Sequence, residues 1–297
     1  MPSRFRVRSA RPIVGLALLT AVAILGVAPA ATGAAPPARG TGIGSLLYPD
    51  ATAAYKGQSD RAGLLAGPGR KGDSLIRLIS WAGRPWLVYS NTSIGPEHVK
   101  LTNSTQAIWI DGRGRLHLHI VKIDGVWRSV ELRSLNTVSY GRYRLVNDTA
   151  TGKFADQTVF GMFVYRPGTK TYTNEIDIEN SRFPRYLKAP NNAQFAVQPY
   201  RAPHHAHPYH VKPSYKPLFQ EFTWYPPARG KGTVKFQTRV GTTPHAPLLT
   251  RWAYHGASSP TDQNMYLYIT LWLNHGKAPR HGTHSATLRS LTVSPIR

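Results

Sequence analysis

From Leu78 onward, short runs of alternating apolar and polar residues dominate the chain, and Gly, Pro, Asn or Asp separate them. A period of two with many β-branched and aromatic residues predicts β-strands that pack on one face. Asp111-Gly112 lies between two such runs and predicts a hairpin. No segment of ten or more residues after the N-terminal region has helical periodicity. The sequence therefore predicts an all-β fold, either a two-sheet sandwich or a jelly roll.

The most regular alternation places three carboxylates on one predicted strand. Glu175, Asp177 and Glu179 alternate with Ile176 and Ile178, so the carboxylates share one face and the isoleucines point to a core. Like charges at this spacing raise each other's pKa. The chain has only 14 acidic residues, and three of them in one strand indicate an active site. A calcium site and a solvated strand face are the alternatives.

Paired carboxylates are the groups that cleave glycosidic bonds. One protonates the leaving oxygen, and the other attacks or stabilises the anomeric carbon. On a flat strand, Cα atoms at positions i and i+4 are about 13 Å apart. Glu175 and Glu179 would therefore need a curved, concave sheet for their side chains to approach each other. Calcium loops usually mix Asp, Asn, Gly and backbone carbonyls, which this regular strand does not.

Flanking segments extend this pattern beyond one strand. With its surroundings, the carboxylate strand resembles the family 16 glycoside hydrolases, which have the concanavalin A-like jelly-roll fold and a concave cleft. The resemblance covers roughly residues 80–290. It lacks two familiar features, because Thr173 stands where the family often has a sugar-stacking Trp, and Thr270 precedes Leu271-Trp272 in place of Asn. The similar segments are 139–143, 159–165, 221–226, 234–236 and 271–272.

The resemblance implies a role for each carboxylate. Glu175 would be the nucleophile, Glu179 the general acid and then base, and Asp177 the assisting carboxylate, with retention of anomeric configuration. It also implies that five residues line the substrate cleft. Apolar ring faces suit stacking on sugars, which adds Trp86 and Trp224 as candidates for substrate contact, with packing in the core or at its rim as the alternative. The five implied cleft residues are Glu131, Arg133, Phe163, Tyr165 and Gln198.

The N-terminal region indicates export. Four arginines between positions 4 and 11 precede an apolar run at 13–27 and small residues near position 30, which predicts a signal peptide at 1–30 and a secreted protein. An uncleaved anchor is the alternative. Residues 31–75, rich in Ala, Gly and Pro, are predicted to be a linker or extension, and 76–297 the enzyme domain. The chain has no cysteine, which excludes thiol catalysis and disulfides.

The chain is strongly basic. Removal of the four N-terminal arginines lowers the net charge from +23 to +19, which suits either a solvated surface or attraction to polyanions. No run of Lys or Arg resembles a helix that follows a nucleic-acid groove, so no nucleic-acid partner is predicted. The segment 204–210 contains four histidines. It is predicted to be a polar loop at the cleft rim, with a zinc or copper site as the alternative.

These observations lead to one expected function. The N-terminal segment predicts secretion, and the resemblance implies a retaining endo-glycosidase that hydrolyses β-1,3-1,4 or β-1,3 linkages of β-glucan by double displacement. The protein is expected to be a monomer. No cofactor, no catalytic metal and no membrane partner after signal cleavage are expected, and a structural calcium ion stays an open alternative. A transglycosylase acting on cell-wall polysaccharide and a non-catalytic, lectin-like carbohydrate-binding protein are the alternative functions, and a polyanion-binding surface protein is a third.

Overall fold

The computed structural model describes residues 63–65, 75–90, 99–167, 174–183 and 187–296. These residues form eighteen strands and two 3-10 turns, at Thr151–Lys153 and Asn274–Gly276, and contain no α-helix. The strands are β1 Gly63–Leu65, β2 Leu75–Trp81, β3 Arg84–Ser90, β4 Ile108–Ile110, β5 Leu116–His119, β6 Val121–Ile123, β7 Val126–Arg128, β8 Val130–Ser134, β9 Gly141–Asn147, β10 Thr158–Tyr165, β11 Glu175–Asn180, β12 Ala193–Val197, β13 Ala206–Tyr209, β14 Leu218–Ala228, β15 Lys231–Val240, β16 Leu248–Gly256, β17 Tyr266–Leu273 and β18 Ser285–Ser294.

Two large antiparallel sheets and one small ribbon contain all of these strands. The nine-stranded sheet has the order β1-β2-β3-β8-β17-β10-β11-β12-β13, and the seven-stranded sheet has the order β16-β15-β14-β9-β18-β5-β4. Strands β6 and β7 form the ribbon. Buried side chains from both large sheets pack into one core; for example, Phe195 of β12 stacks on Phe236 of β15 with ring centroids 5.0 Å apart. The all-β jelly-roll sandwich predicted from the sequence is therefore confirmed.

Local sequence explains two of the turns. The predicted hairpin at Asp111 joins β4 to β5, and the Asp111 carboxylate accepts hydrogen bonds from the backbone N–H groups of Arg113 and Arg115. Between β6 and β7, Asp124 and Gly125 have φ angles of 50° and 76°. Two consecutive residues with left-handed φ angles are typical of a two-residue hairpin turn, and Asp and Gly adopt such angles more readily than other residues.

The segment before residue 76 contributes a strand. Strand β1 lies inside the segment 31–75 that was predicted to be a linker or extension, and it pairs with β2 at the edge of the nine-stranded sheet. The ordered domain therefore begins before residue 76. The predicted signal peptide and Thr173 lie outside the described residues. Within the described part of the chain, no helix is long and apolar enough to cross a membrane.

Candidate active site

The three carboxylates of β11 project from the outer face of the nine-stranded sheet. Ile176 and Ile178 alternate with them and are fully buried in the core, so the predicted division of the strand between two faces is correct. Asp177 is only 3% exposed, whereas Glu175 and Glu179 are partly buried. The central carboxylate is therefore shielded, and the two outer ones are the more accessible pair.

The neighbouring strands determine what lies beside each carboxylate. On β10, Tyr165 is opposite Glu175, Phe163 is opposite Asp177, and Gly161 is opposite Glu179. Side chains directly across an antiparallel pair lie on the same face, so Phe163 and Tyr165 flank the carboxylates as predicted. Gly161 has no side chain, and a Cβ there would be 3.0 Å from the Oγ1 atom of Thr270. This position leaves room beside Glu179.

Two amide side chains from the other direction hold the carboxylates. Gln194 Nε2 donates a hydrogen bond to Glu179 Oε2 at 2.7 Å, and Gln198 Nε2 donates one to Asp177 Oδ2 at 3.0 Å. Both amides come from β12 or its end, next to β11. The predicted site residue Gln198 therefore touches the carboxylate cluster itself.

The carboxylates bind protons more tightly than free carboxyl groups do. The pKa of Glu175 is raised to about 8, mainly by burial; a hydrogen bond from Asp177 opposes the rise, and the charges of Glu179 and Glu131 add to it. Burial and then the charge of Glu175 raise the pKa of Asp177 well above its usual value. Burial also raises the pKa of Glu179, and the hydrogen bond from Gln194 opposes this effect. Asp177 is thus the group that keeps a proton and donates it toward Glu175.

A fourth carboxylate lies three strands away, on β8. Glu131 and Arg133 of β8 are opposite Thr270 and Tyr268 of β17, on the same face as the β11 carboxylates. Glu131 is 7% exposed, and burial raises its pKa to about 7, with the charge of Arg133 lowering it in part. The Arg133 guanidinium lies over the ring of Tyr266, 4.6 Å from its centroid. The predicted Glu131 and Arg133 pair is therefore part of the same face.

Aromatic rings separate this pair from the β11 carboxylates. Phe163 stacks on Tyr268 with centroids 5.0 Å apart and planes 1° from parallel, and Tyr165 meets Tyr268 edge-on at 6.0 Å. Phe163 and Tyr165 are partly exposed. An apolar ring face next to hydrogen-bonding groups is the environment that a sugar ring requires.

Two predicted contacts are wrong. Trp86 and Trp224 are both 0% exposed and lie in the hydrophobic core. The indole Nε1 of Trp86 donates to the carbonyl oxygen of Trp81, and that of Trp224 donates to the carbonyl oxygen of Pro260. With their rings enclosed and their N–H groups paired inside the protein, neither residue can stack on a sugar.

The histidine segment also differs from its prediction. Residues 206–209 form edge strand β13 in place of a loop. Its imidazoles bond to separate protein groups: His205 Nδ1 to the carbonyl oxygen of Val197 at 3.0 Å, and His207 Nε2 to Thr250 Oγ1 at 3.0 Å. Among the described residues, no group of three or more His, Asp or Glu side chains could hold a metal ion. Of the four histidines, only His207 lies in β13.

The sequence did not predict three residues of the site. Gln194 binds Glu179, and Tyr266 and Tyr268 form the aromatic surface beside Arg133 and Phe163. Gln194 is four positions before Gln198 and therefore on the same strand face, a spacing that would have revealed it. Thr270, noted as a departure from the family pattern, is 1% exposed next to Glu131, so it lies in the floor of the face.

This arrangement can supply acid and nucleophile together. Glu175 and Glu179 flank a protonated Asp177 on one face, and two amides fix Asp177 and Glu179. Raised pKa values keep part of the cluster protonated near neutral pH. The partly exposed rings of Phe163 and Tyr165 offer apolar surface next to it. Together these features fit a saccharide bound across the strands.

Comparison with known proteins supports the fold. No family model matches the chain, and no curated protein matches its sequence. Among solved structures, a β-glucanase of Bacillus licheniformis is similar, with a TM-score of 0.51 at 16% identity, and covers 81% of this chain and 100% of its own. A protein described as an immunostimulatory antigen and pseudo β-1,3-glucanase of Mycobacterium tuberculosis has a TM-score of 0.51 at 13% identity and covers 71% and 91% of the two chains. The chain therefore has the concanavalin A-like β-glucanase fold.

Proposed function

We propose that the protein is a secreted, retaining endo-glycosidase that hydrolyses β-glucan. The observation that carries the proposal is the arrangement on β11, in which Glu175 and Glu179 flank the shielded Asp177 on one sheet face, and burial raises the pKa of Asp177. Neither a lectin nor a structural protein requires three desolvated carboxylates in a row, because their burial is costly without a compensating function.

In the first chemical step, Glu175 attacks the anomeric carbon and Glu179 protonates the departing glycosidic oxygen. The bond to the leaving sugar breaks as the ester bond to Glu175 forms, so the carboxylate charge moves from Glu175 to Glu179. The hydrogen bond from Asp177 lowers the pKa of Glu175 against the effect of burial and so favours the carboxylate form that attacks. Gln194 stabilises the carboxylate that Glu179 becomes.

In the second step, Glu179 acts as the base. It removes a proton from water, the resulting hydroxyl attacks the anomeric carbon, and Glu175 departs as a carboxylate. Two inversions give net retention of configuration. Glu179 is again protonated and Glu175 is again ionised, so the cycle returns both groups to their starting states.

The side chains around the carboxylates would bind the sugar. The ring faces of Phe163 and Tyr165 would stack on pyranose rings, and Glu131, Arg133 and Gln198 would bind hydroxyl groups. The similar structure from Bacillus licheniformis is named a β-glucanase, and this favours a β-glucan as substrate. The 1,3-1,4 or 1,3 linkages rest on the resemblance in the sequence. A concave cleft around these residues remains a prediction.

Release of reducing ends from barley β-glucan and laminarin tests the proposal. The parent protein is expected to release them, and Glu175→Gln is expected to lower kcat at least about 1,000-fold while binding of the polysaccharide persists. Glu221→Gln, on the other sheet, is the matched control and should retain activity. A parent protein that releases nothing from a panel of polysaccharides would refute hydrolysis.

The configuration of the first product tests the roles of the carboxylates. NMR of the newly formed anomeric centre should show the β-anomer before mutarotation. An initial α-anomer would remove Glu175 as the nucleophile. If the early products are longer than the substrate at high saccharide concentration, the transglycosylase alternative is correct, because a sugar then replaces water as the acceptor.

One observation favours a second candidate, a carbohydrate-binding protein without turnover. The Mycobacterium tuberculosis protein with a similar fold is described as a pseudo β-1,3-glucanase. A protein with this fold can therefore carry a description other than that of an active glucanase. In that case the parent and Glu175→Gln would bind β-glucan equally and neither would release sugar.

Secretion has its own test. The arginines followed by the apolar run at 13–27 are the basis for proposing export. Mass spectrometry of the protein recovered outside the producing cell should give an N-terminus near residue 31 or 36. An intact N-terminus held in the membrane fraction would support the uncleaved anchor instead.

A further inference from the structure

The two large sheets carry opposite balances of charge. The strands of the nine-stranded sheet contain four carboxylates, the three of β11 and Glu131, against three arginines. In the strands of the seven-stranded sheet, Glu221 is the only acidic residue. The basic residues of those seven strands are Arg142, Arg144, Lys231, Lys235, Arg239, Arg251 and Arg289.

Five of these cations project from the same side of the seven-stranded sheet, away from the core. On β9, Tyr143 and Leu145 are buried, so Arg142 and Arg144 point outward; on β15, burial of the alternate residues directs Lys235 and Arg239 outward. Arg251 lies on the neighbouring strand β16, opposite Gln237. We call the surface formed by Arg142, Arg144, Lys235, Arg239 and Arg251 the basic outer face.

One carboxylate cannot neutralise this surface. Glu221 accepts a hydrogen bond from Arg144 Nε at 2.5 Å and another from Gln237 at 2.9 Å, and it is 4.0 Å from Arg142 Nε. The Arg239 side chain donates to Gln237 and to the Ala246 carbonyl oxygen. After the pairing of Glu221 with Arg144, four positive charges remain, on strands about 4.8 Å apart.

The surface between these cations is a shallow depression of about 570 Å³. Its lining includes Arg142, Lys235, Arg251, Thr223 and Gln237, which combine positive charge with hydroxyl and amide groups. The Lys235 ammonium lies over the Tyr225 ring, 5.2 Å from its centroid. The depression therefore offers cations for carboxylates and hydrogen-bonding groups for hydroxyls.

We propose that the basic outer face binds an anionic polysaccharide of the polyuronate type, on the side of the molecule opposite the carboxylates of β11. Charge complementarity requires an anionic partner. A polyuronate supplies carboxylates for Arg142, Lys235 and Arg251, and hydroxyls for Thr223 and Gln237. Single-stranded nucleic acid fits less well, because it binds on exposed aromatic rings. Of the rings that line the depression, Tyr225 lies under Lys235, and Trp252 stacks on Phe236 and His207.

Binding of the full chain to immobilised polygalacturonate, measured by biolayer interferometry, tests the proposal. The parent is expected to bind polygalacturonate but not dextran, and the affinity should fall as salt increases. The triple variant Arg142→Gln, Lys235→Gln, Arg251→Gln should bind about tenfold more weakly. Arg144 and Arg239 are left intact, because their hydrogen bonds support Glu221 and the chain near Ala246.

The matched control removes the same charge elsewhere. Lys122, Lys153 and Lys277 are exposed and outside the strands of the seven-stranded sheet, and their replacement by Gln should leave affinity within about twofold. Equal loss in both triple variants would overturn the proposal in favour of net charge alone. Tighter binding of single-stranded DNA than of polygalacturonate, or no binding by the parent, would also overturn it.

Two further measurements keep this result separate from catalysis and from folding. Glu175→Gln should bind polygalacturonate as the parent does, because Glu175 lies on the other sheet; a loss of binding in Glu175→Gln would place the polymer on the carboxylate face and refute the proposal. Each triple variant should melt within a few degrees of the parent, which shows that altered binding does not reflect unfolding.

Discussion

Replacement of Glu131 by Gln is expected to stabilise the protein at alkaline pH. Glu131 is 7% exposed, and burial raises its pKa from 4.5 to about 7 despite the nearby charge of Arg133. Between these values the unfolded chain loses the proton while the folded protein keeps it. The folded state therefore binds more protons, and the free energy of unfolding falls as pH rises.

The size of the effect follows from the two pKa values. Each pH unit between 4.5 and about 7 lowers the free energy of unfolding by about 1.4 kcal/mol, which gives a total of about 3 kcal/mol. This stability is fully present below pH 4.5 and is lost by pH 8. Glu131→Gln has no charge to bury, so it should exceed the parent by about 3 kcal/mol at pH 8 and match it near pH 4.5.

Urea denaturation of parent and variant at pH 5, 6, 7 and 8 measures this difference. Some dependence on pH should persist in the variant, because the pKa of Glu175 is also raised, to about 8. Glu221→Gln is the matched control, since Glu221 is equally buried at 7% but pairs with Arg144 and Gln237. Loss of those charged contacts should destabilise the control by about 1–3 kcal/mol.

Two results would refute this reasoning. One is a parent protein whose free energy of unfolding rises from pH 5 to pH 8. The other is a Glu131→Gln variant that has the same pH dependence as the parent, which would mean that Glu131 is ionised in the folded protein at neutral pH.

Three more substitutions test the site and the core. Gln194→Ala removes a hydrogen bond that lowers the pKa of Glu179, so the alkaline limb of kcat/KM should move to higher pH; an unchanged profile would contradict the role of Glu179 as acid. Phe163→Ala removes the ring stacked on Tyr268 and should raise KM for β-glucan about tenfold with a smaller change in kcat; an unchanged KM would exclude sugar stacking at this ring. Trp224→Phe should lower the free energy of unfolding by about 2 kcal/mol without altering KM; a KM effect at unchanged stability would contradict its position in the core.

The alternating strands explain why the fold class was predictable. A period of two over residues 175–179 assigns three carboxylates to one face and two isoleucines to the other, whatever the partner strands are. The burial of Ile176 and Ile178 confirms that assignment. The turn at Asp111 could also be predicted, because its hydrogen bonds join residues that are close in sequence.

Contacts between strands that are distant in sequence could not be predicted from the alternation of apolar and polar residues alone. An aromatic residue gives the same sequence pattern whether its strand face belongs to the core or to the surface, so the sequence could not decide between substrate contact and core packing for Trp86 and Trp224. Tyr268 was missed because its role depends on its position opposite Phe163, 105 residues earlier in the chain. Strand β1 was not predicted, because it lies in a region whose composition resembles that of a linker.

The position of β17 in the nine-stranded sheet has a consequence for biosynthesis. Residues 266–273 lie between β8 and β10, although β8 and β10 are made more than a hundred residues earlier. Until β17 has been synthesised, the two halves of the carboxylate face have no strand to join them. A nascent chain therefore cannot assemble the complete carboxylate face before residues 266–273 have been made.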